Sequence, residues 1–320
     1  MLDDRSQMVK SRPPRIGVDL MGCDTAPEDL YRATLQLVES GFPAEIVLFA
    51  SEDLGGELDS SLHIVKGSDV IEMDDNPIQA VRRKKNSSLC LGLQFLKQKK
   101  IDAFVSAGNT GALLLAAKTT LKTLPRIDRP ALLALLPTKK KEIAVLDVGA
   151  NLTLKPEHIL QFAAMGIAYQ KSRGIKTPTI GLLNVGVEAK KGTPQLRAAY
   201  QKLEMMNRDE QIFVGNVEGK AIFQGDIDVL VTDGFTGNIF LKTAEGIAAF
   251  ILEELETSSR DTSFSHLKHE LANLRNRLHY SEYPGAILCG VHGIVVKCHG
   301  DSSPPTFMNG IKGALRLVQH

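Results

Sequence analysis

The hydrophobic positions of this sequence form short runs that alternate with glycine-rich polar segments and with stretches of helical periodicity. The predicted strands of this repeating unit are Arg15–Leu20, Ile101–Ser106, Ile143–Val148, Thr179–Leu183 and Asp228–Thr232. The first helix is predicted to open near Pro27, with Asp24 or Thr25 as its cap. Two short strands, Ala286–Cys289 and Gly293–Lys297, are expected to close the sheet. Because strands that are apolar almost throughout alternate with helices, the pattern predicts a three-layer αβα fold with a mainly parallel sheet.

The domain organisation follows from the evenness of this pattern. No linker or low-complexity tract interrupts it, so we expect a flexible start at residues 1–14 and a single α/β domain over residues 15–320. The segment 245–283 is too long for one connecting helix and predicts an inserted helical hairpin that protrudes from the domain. Its second half has an apolar stripe at spacings of 3, 4, 3 and 4, formed by Phe264, Leu267, Leu271, Leu274 and Leu278. The stripe is interpreted either as a dimer or core seam or as a membrane-facing surface.

Composition narrows the class of protein. The chain has 38 Lys and Arg against 37 Asp and Glu, a net charge of +1, which disfavours a nucleic-acid binder and an acidic disordered protein. Hydrophobic runs are too short for a membrane-spanning helix of about 18 residues. The cysteines and histidines show no metal-ligand spacing, so we expect no metal and no cofactor. His292 and His299 are interpreted as structural rather than catalytic, and the chain is expected to be cytoplasmic.

The loops after the predicted strands carry the candidate chemistry. Glycines at these positions are Gly22, Gly108–Gly111, Gly149, Gly186–Gly192 and Gly234–Gly237, and the asparagines beside them are Asn109, Asn151, Asn184, Asn216 and Asn238. Glycine-rich turns that open helices favour anions, so we expect several such loops to converge on a phosphate. Lys190 and Lys191 lie in one of these loops and could clamp it, whereas Asp233 and Glu218 could equally cap helices. Neither a G-x-G-x-x-G nor a P-loop motif is present, which disfavours a dinucleotide or nucleoside triphosphate.

These loops resemble a known family. The segments IGVDLMGCD, AVRRKKNSS, SAGNTGALL, LDVGAN, NVGVEAKKG, GNVEG, DVLVTDGFTGNIFLK and GVHGIVVKCHGDSS occur in the order found in the bacterial phosphate acyltransferase (PlsX) family. The resemblance covers roughly residues 15–315. It implies transfer of a long-chain fatty acyl group from acyl carrier protein to inorganic phosphate, which supplies acyl phosphate for phosphatidic acid and phospholipid synthesis. It also implies a fold like that of phosphate acetyltransferases and isocitrate or isopropylmalate dehydrogenases.

The resemblance further implies partners and site residues. The expected partners are acyl carrier protein, inorganic phosphate, a second copy in a homodimer, the membrane surface in peripheral attachment, and the downstream glycerol-3-phosphate acyltransferase. The residues that match catalytic positions are Lys191, Asn216, Asp233 and Asn238. Those that match phosphate- or substrate-binding positions are Gly22, Asp24, Asn109, Thr110, Gly111, Asn151, Lys190, Glu218, Gly234 and Gly237. Carrier-protein contacts are expected at Arg82, Arg83, Lys84 and Lys85. The resemblance also favours the interpretation of the 264–278 stripe as a membrane-facing surface.

Four positions depart from the family pattern, and they leave alternatives open. Cys23 replaces a usual glycine, Thr153 and Val187 replace usual acids, and Ala221 replaces a usual aspartate. The alternatives are a catalytically silent acyl-carrier- or lipid-binding protein, and a short-chain acyltransferase that uses coenzyme A thioesters. A nicotinamide-dependent dehydrogenase is disfavoured because the sequence has no cluster of metal-binding aspartates.

Overall fold

The apolar runs of the sequence form one continuous sheet with helices on both faces. The structure is a computed structural model that describes residues 12–52, 62–206, 212–258 and 285–319. Its strands are β1 Arg15–Asp19, β2 Glu45–Ser51, β3 His63–Gly67, β4 Ala103–Ser106, β5 Ala131–Pro137, β6 Glu142–Leu146, β7 Ile180–Leu183, β8 Phe213–Val217, β9 Val229–Val231, β10 Ala286–Cys289 and β11 Ile294–Lys297. Its helices are α1 Pro27–Glu39, α2 Pro77–Arg83, α3 Ser88–Lys97, α4 Thr110–Leu121, α5 Pro156–Ser172, α6 Pro194–Met206, α7 Gly219–Ile222, α8 Gly234–Ser258 and α9 Pro304–Gln319.

The sheet has two parallel halves that run in opposite directions. Its strand order is β3-β2-β1-β4-β11-β10-β5-β6-β9-β7-β8. The strands from β3 to β11 are mutually parallel, and so are those from β6 to β8. Between the halves, β10 and β5 are antiparallel to their neighbours, with Ala286 opposite Lys297 and Ile287 opposite Leu133. The mainly parallel αβα fold is therefore confirmed.

The antiparallel centre corrects two expectations from the sequence. The strands β10 and β11 were expected to close the sheet, but they lie in its middle. The strand-end loops were expected to converge in one crevice, but the two halves direct their carboxyl ends to opposite edges of the sheet. The hydrophobic pattern shows which segments are strands, whereas strand order and direction depend on long-range pairing.

Helices cover both faces of the sheet and bury its apolar side chains. On one face α3 packs on β1, β2 and β4, and Phe49 and Phe104 make an edge-on ring contact at 5.8 Å with both side chains fully buried. A Cβ atom at Gly92 would lie 2.0 Å from the Phe104 ring, so the helix approaches this closely only with glycine there. Burying each phenylalanine contributes roughly 1.5–3 kcal/mol. On the other face α1 and α9 pack against each other and against the same half of the sheet.

The first helix begins at Pro27 as predicted, but its predicted cap is wrong. The N-cap position is Ala26, which has no side-chain capping bond. The Asp24 main-chain N–H instead donates to the Gly300 carbonyl at 2.9 Å, and the Thr25 hydroxyl donates to the Ser302 carbonyl at 2.9 Å. These polar groups therefore tie the loop after β1 to the loop after β11.

Helix α8 is long and incompletely covered. At about 1.5 Å per residue, its 25 residues extend for roughly 37 Å. Contrary to the expectation from the short hydrophobic runs, residues Gly234–Leu255 meet the length and composition of a membrane span, and 17% of their most apolar 18-residue window is buried. Because this stretch carries Lys242 and Glu245 on the wall of a cavity against the sheet, we interpret it as a helix that packs on the sheet. The predicted hairpin tip and the 264–278 stripe lie outside the described residues.

Candidate active site

A cavity of about 290 Å³ lies where α8 crosses the sheet. Its α8 wall is formed by Asn238, Leu241, Lys242 and Glu245, which share one face of the helix because they are spaced i, i+3, i+4 and i+7. The other walls come from β5, from the loops after β4, β6 and β11, and from the start of α9. Although the two halves of the sheet direct their loops to opposite edges, α8 links Gly149 at one edge with His299 at the other. The cavity therefore combines residues from both halves.

The cavity is apolar along the sheet and polar at one end. The apolar side chains are Leu132, Ala134, Leu135, Val148, Leu241 and Ala286. The polar groups are Thr110, Asn238, Lys242, Glu245, Lys297, His299, Ser302 and Thr306. A site with a mostly apolar wall and a few convergent polar groups suits a ligand with a charged head and a hydrocarbon body.

Three of the polar groups form a closed network. The Lys242 ammonium lies 2.9 Å from Glu245 Oε2 and 2.8 Å from His299 Nδ1, and His299 Nε2 lies 3.3 Å from Glu245 Oε1. Because lysine can only donate, Nδ1 accepts, and the ring proton is on Nε2 and faces Glu245. Burial opposes the charge of Glu245, but hydrogen bonds from His299 and Lys242, together with the charge of Lys242, hold the pKa of this carboxyl below its usual value.

A buried lysine lies at the same end of the cavity. Lys297 ends β11 with only 7% of its surface exposed, and its ammonium donates to the Ala107 carbonyl at 3.1 Å and to the Cys298 carbonyl. Burial lowers the pKa of this lysine to about 8. Beneath it lies Asp19, which is 1% exposed and accepts a hydrogen bond from the Ser106 hydroxyl at 2.8 Å. Burial raises the pKa of Asp19 to about 6, although its hydrogen bonds and the charge of Lys297 lower it.

One polar atom in the cavity wall has no partner. The Ser302 hydroxyl is buried, and no group within the described ranges forms a hydrogen bond with it. A buried hydroxyl left in this state costs roughly 1–3 kcal/mol. The hydroxyl oxygen is shielded from the cavity in this structure, so a ligand oxygen would reach it after the Ser302 side chain turns toward the cavity.

The predicted residues near β4 shape the helix terminus at the cavity. The Asn109 amide donates to the carbonyls of Glu72, Met73 and Asp75 at 3.2, 2.9 and 3.1 Å, and its oxygen accepts from the Ala112 N–H at 3.0 Å. These bonds fix the first turn of α4, and they place Thr110 on the cavity wall with the partial positive charge of that helix terminus. Gly111 allows a close approach to α2, and Gly22, at a φ of +67°, allows close contact with the Ile71 carbonyl.

The predicted residues after β6 and β9 pack around a carboxylate that sequence reasoning missed. Asp147 is fully buried, and it accepts hydrogen bonds from the main-chain N–H groups of Leu132, Ala150 and Asn151 and from the Asn151 amide at 2.7–3.0 Å. Burial raises the pKa of Asp147, and these bonds oppose the rise. Asp233 caps α8 by accepting from the Thr236 N–H at 2.8 Å. The available sequence signal for Asp147 was an acidic residue within the otherwise apolar predicted strand Ile143–Val148.

Close backbone approach explains the glycines of the DGFTGN motif. A Cβ atom at Gly237 would lie 1.9 Å from the Asp147 carbonyl oxygen, and one at Gly234 would lie 2.7 Å from the Asn151 carbonyl oxygen. The start of α8 is therefore pressed against the loop after β6. This contact leaves Asn238 beside Gly149 on the cavity wall.

The predicted lysines lie in a separate loop cluster after β7 and β8. The Asn184 amide donates to Asn216 Oδ1 at 3.1 Å and to the Lys191 carbonyl at 3.2 Å, and the Asn216 amide donates to the Glu188 carbonyl at 2.9 Å. The Lys190 and Lys191 side chains are exposed. In the part of the chain that the structure describes, this cluster does not line the 290 Å³ cavity. Glu218, at the start of α7, pairs instead with the exposed Lys220 at 2.9 Å.

A second cavity of about 280 Å³ lies between the β9 and β7 loops. Its lining includes Asp233, Thr236, Thr153, Lys155 and Thr193. Asp233 is thus both a helix cap and a cavity residue. Of the predicted catalytic and substrate-binding residues, Thr110 and Asn238 line the first cavity and Asp233 lines the second. Lys190, Lys191 and Asn216 lie in the β7–β8 loop cluster, and the remaining predicted residues, all within the described ranges, line neither cavity.

The predicted carrier-protein contacts lie at the end of α2. Arg82, Arg83 and Lys85 are exposed, whereas Lys84 pairs with Asp75 at 2.5 Å. The exposed charges are available to a partner, and Lys84 is held within the chain.

Comparison with known proteins places the chain in a family. A family model described as "Fatty acid synthesis protein" matches residues 14–320. The chain is 39% identical over 319 residues to a phosphate acyltransferase of Chlamydia pneumoniae, covering 95% of each protein. It is 41% identical over 311 residues to a phosphate acyltransferase of Thermotoga maritima, covering 95% of this chain and 93% of the relative.

Solved structures share the fold at low sequence identity. A branched-chain phosphotransacylase from Enterococcus faecalis V583 matches with a TM-score of 0.63 and 15% identity, covering 96% of this chain and 99% of that one. EutD phosphotransacetylase from Staphylococcus aureus matches with a TM-score of 0.61 and 17% identity, covering 95% and 94%. A 4-hydroxythreonine-4-phosphate dehydrogenase from Klebsiella pneumoniae matches with a TM-score of 0.57 and 13% identity, covering 96% and 100%. These neighbours confirm the expected fold class, and the full-length sequence matches show that the chain belongs to the fatty acid synthesis protein family, together with the phosphate acyltransferases.

Proposed function

We propose that this protein transfers a long-chain fatty acyl group from acyl carrier protein to inorganic phosphate and so makes acyl phosphate for phospholipid synthesis. The observation that carries the proposal is the cavity with a cationic end and an apolar wall, in a chain whose full-length relatives are phosphate acyltransferases. The alternative of a catalytically silent acyl-carrier- or lipid-binding protein, the silent-binder alternative, is not favoured. Usual acids are missing at Thr153, Val187 and Ala221, and none of these residues lies on the wall of that cavity within the described residues.

The reaction needs positioning more than a strong base. An oxygen of hydrogen phosphate attacks the thioester carbonyl carbon, the carbon–sulfur bond breaks, and the phosphate proton ends on the departing thiolate. Because phosphate is already an anionic nucleophile, alignment and stabilisation of the developing oxyanion dominate. One well-placed donor is worth about 3–4 kcal/mol in the transition state. We propose Asn238 as such a donor, because it lies on the cavity wall.

The remaining predicted catalytic residues are proposed to contact other parts of the substrate. Lys191 and Asn216 lie in the β7–β8 cluster, and Asp233 lines the second cavity. Acyl carrier protein presents its thioester on a long arm, so one substrate can contact both regions. Mutation of Lys191 to alanine is expected to lower turnover by orders of magnitude while the fold survives, since its side chain is exposed. Turnover and circular dichroism of Lys191→Ala should be compared with those of the exposed control Lys312→Ala, and wild-type rates in a folded Lys191→Ala variant would remove this lysine from the mechanism.

The test of the activity is phosphate-dependent release of carrier-protein thiol from palmitoyl-acyl carrier protein. Acyl phosphate is trapped with hydroxylamine, and we expect hydroxamate in stoichiometric yield with the thiol. Palmitoyl-coenzyme A, run in parallel, separates a carrier-protein enzyme from one that uses coenzyme A. Binding of palmitoyl-acyl carrier protein without release, with palmitoyl-coenzyme A also inert, would instead support the silent-binder alternative.

We also propose a cytoplasmic homodimer that attaches reversibly to the membrane and passes its product to a glycerol-3-phosphate acyltransferase. Support comes from the exposed large apolar side chains of α8, which are Phe235, Ile239, Ile247, Phe250 and Ile251. For the membrane, we predict that Leu271→Glu combined with Leu274→Glu releases the protein from anionic vesicles in a flotation assay. A double variant that becomes monomeric or insoluble would identify the stripe as a structural seam.

A further inference from the structure

Three donors at the polar end of the 290 Å³ cavity retain hydrogen-bonding capacity. A lysine ammonium has three N–H groups, and the described partners use two on Lys242 and two on Lys297. Each ammonium therefore keeps one N–H to which no group in the described ranges binds. The Ser302 hydroxyl, buried on the same wall, has no partner there at all.

We propose that Lys242, Lys297 and Ser302 bind the phosphate that accepts the acyl group, and that Glu245 and His299 are positioning residues for Lys242. The inference rests on the proposed function and deepens it, because it assigns the acceptor site to residues that sequence reasoning did not select. The buried, unpartnered hydroxyl is an observation independent of the two cations. Unsatisfied buried hydroxyls are uncommon, and an oxyanion is a ligand that would satisfy this one.

Directed donors, rather than net charge, favour an anion at this position. The two lysines offset the charges of Glu245 and of the Asp19 carboxylate beneath Lys297, and their remaining N–H groups are available to an oxyanion. The first turn of α4, which begins at Thr110, adds partial positive charge at the cavity wall. Glu245 does not repel the anion strongly, because its two oxygens are occupied by Lys242 and His299.

The network also sets the direction of the lysine. Lysine has a flexible stem, so an isolated side chain would lose much rotamer freedom on binding phosphate. With two N–H groups held at 2.9 and 2.8 Å, the Lys242 ammonium is already ordered before the ligand arrives. The phosphate would then lie at the polar end, and the acyl chain would lie along the apolar wall of β5 and Leu241.

The first experiment measures the KM for phosphate and for palmitoyl-acyl carrier protein separately. A hydrogen bond from a charged donor corresponds to about a ten- to hundredfold change in affinity. Lys242→Gln is therefore expected to raise the KM for phosphate by that factor while the KM for the acyl donor stays within about twofold. Glu245→Gln should give a smaller rise in the same constant, and Lys242→Arg should recover part of the loss. The control is Lys312→Ala, an exposed lysine on α9.

The second experiment does not depend on catalysis. Titration calorimetry with inorganic phosphate should show binding to the wild-type protein and loss of that binding in Lys242→Gln. Ser302→Ala removes an unsatisfied hydroxyl, so without phosphate its melting temperature should equal or exceed that of the wild type. Its stabilisation by added phosphate should be smaller, because ligand stabilisation falls as the affinity weakens.

The outcomes separate the two proposals. Unchanged phosphate KM and unchanged phosphate binding in both Lys242→Gln and Ser302→Ala would overturn the inference, even if the enzyme is active. A wild-type protein that binds phosphate through these residues but releases no thiol would contradict the proposed function and leave the phosphate site standing.

Discussion

The buried carboxyl of Asp19 should make the stability of this protein depend on pH in an unusual direction. Its side chain ends β1 beneath Lys297, with burial raising its pKa to about 6 against a usual value of 3.8. A raised folded-state pKa means that the folded protein binds more protons than the unfolded chain between these two values. The stabilising contribution is therefore fully present below about pH 4, and it is lost as the pH rises through 6.

The size of the effect follows from the two pKa values. Integrating the proton linkage from pH 5 to pH 7.5 gives a loss of roughly 1.4 kcal/mol for a single carboxyl with these constants. Asp19→Asn removes the titration but keeps an oxygen that can accept from Ser106. The free energy of unfolding of the variant minus that of the wild type should therefore rise by about this amount over the same interval.

Urea unfolding of both proteins at pH 5, 6 and 7.5 measures this difference, with Glu39→Gln as an exposed control. Taking the difference between variant and wild type cancels the contributions of titrating groups that do not interact with Asp19. A difference that does not change with pH, or that falls as the pH rises, would refute the assignment of a raised pKa to Asp19.

Two further predictions concern α8 and the carrier protein. Gly237→Ala should destabilise the fold by roughly 1–3 kcal/mol or more, because the added Cβ would lie 1.9 Å from the Asp147 carbonyl oxygen. Gly246→Ala on the same helix, where a Cβ meets nothing within 4 Å, should instead stabilise by roughly 0.5–1 kcal/mol; thermal melting of the pair should shift in opposite directions. Arg82→Glu combined with Arg83→Glu should raise the KM for acyl carrier protein at low salt and leave the KM for phosphate unchanged, with the effect shrinking as salt screens the charges. Equal effects at low and high salt would argue against an electrostatic docking surface there.

Much of the fold was predictable because its signals are local. Apolar runs such as Ile143–Val148 mark strands wherever they pair, and Pro27 opens its helix as expected. The antiparallel positions of β5 and β10 were not predictable, because direction and order come from pairing with segments far along the chain. The same holds for the cap of α1, whose expected residues bind the loop after β11 instead.

The candidate active site was likewise predictable only in part from the sequence. Thr110 and Asn238 were selected by their motifs and line the cavity. Lys242 and His299 also lie in family-like segments, but nothing in the sequence indicated that they form a network with Glu245. Lys242 and His299 are 57 positions apart and meet only because α8 crosses the sheet to the end of β11. His299 was interpreted as structural from its sequence context, yet it lies on the cavity wall.

The sequence by itself determined the family, the strand–helix alternation and the glycines that allow close backbone approach, since these depend on residue types in local order. The tertiary structure alone decided which charged groups share a cavity. It also decided which donors keep a free N–H or O–H, and how far burial moves the pKa of Asp19 and Lys297. The physical reason is that hydrophobic periodicity acts within one element, whereas burial, charge pairing and hydrogen-bond satisfaction are set by groups that only folding brings into contact.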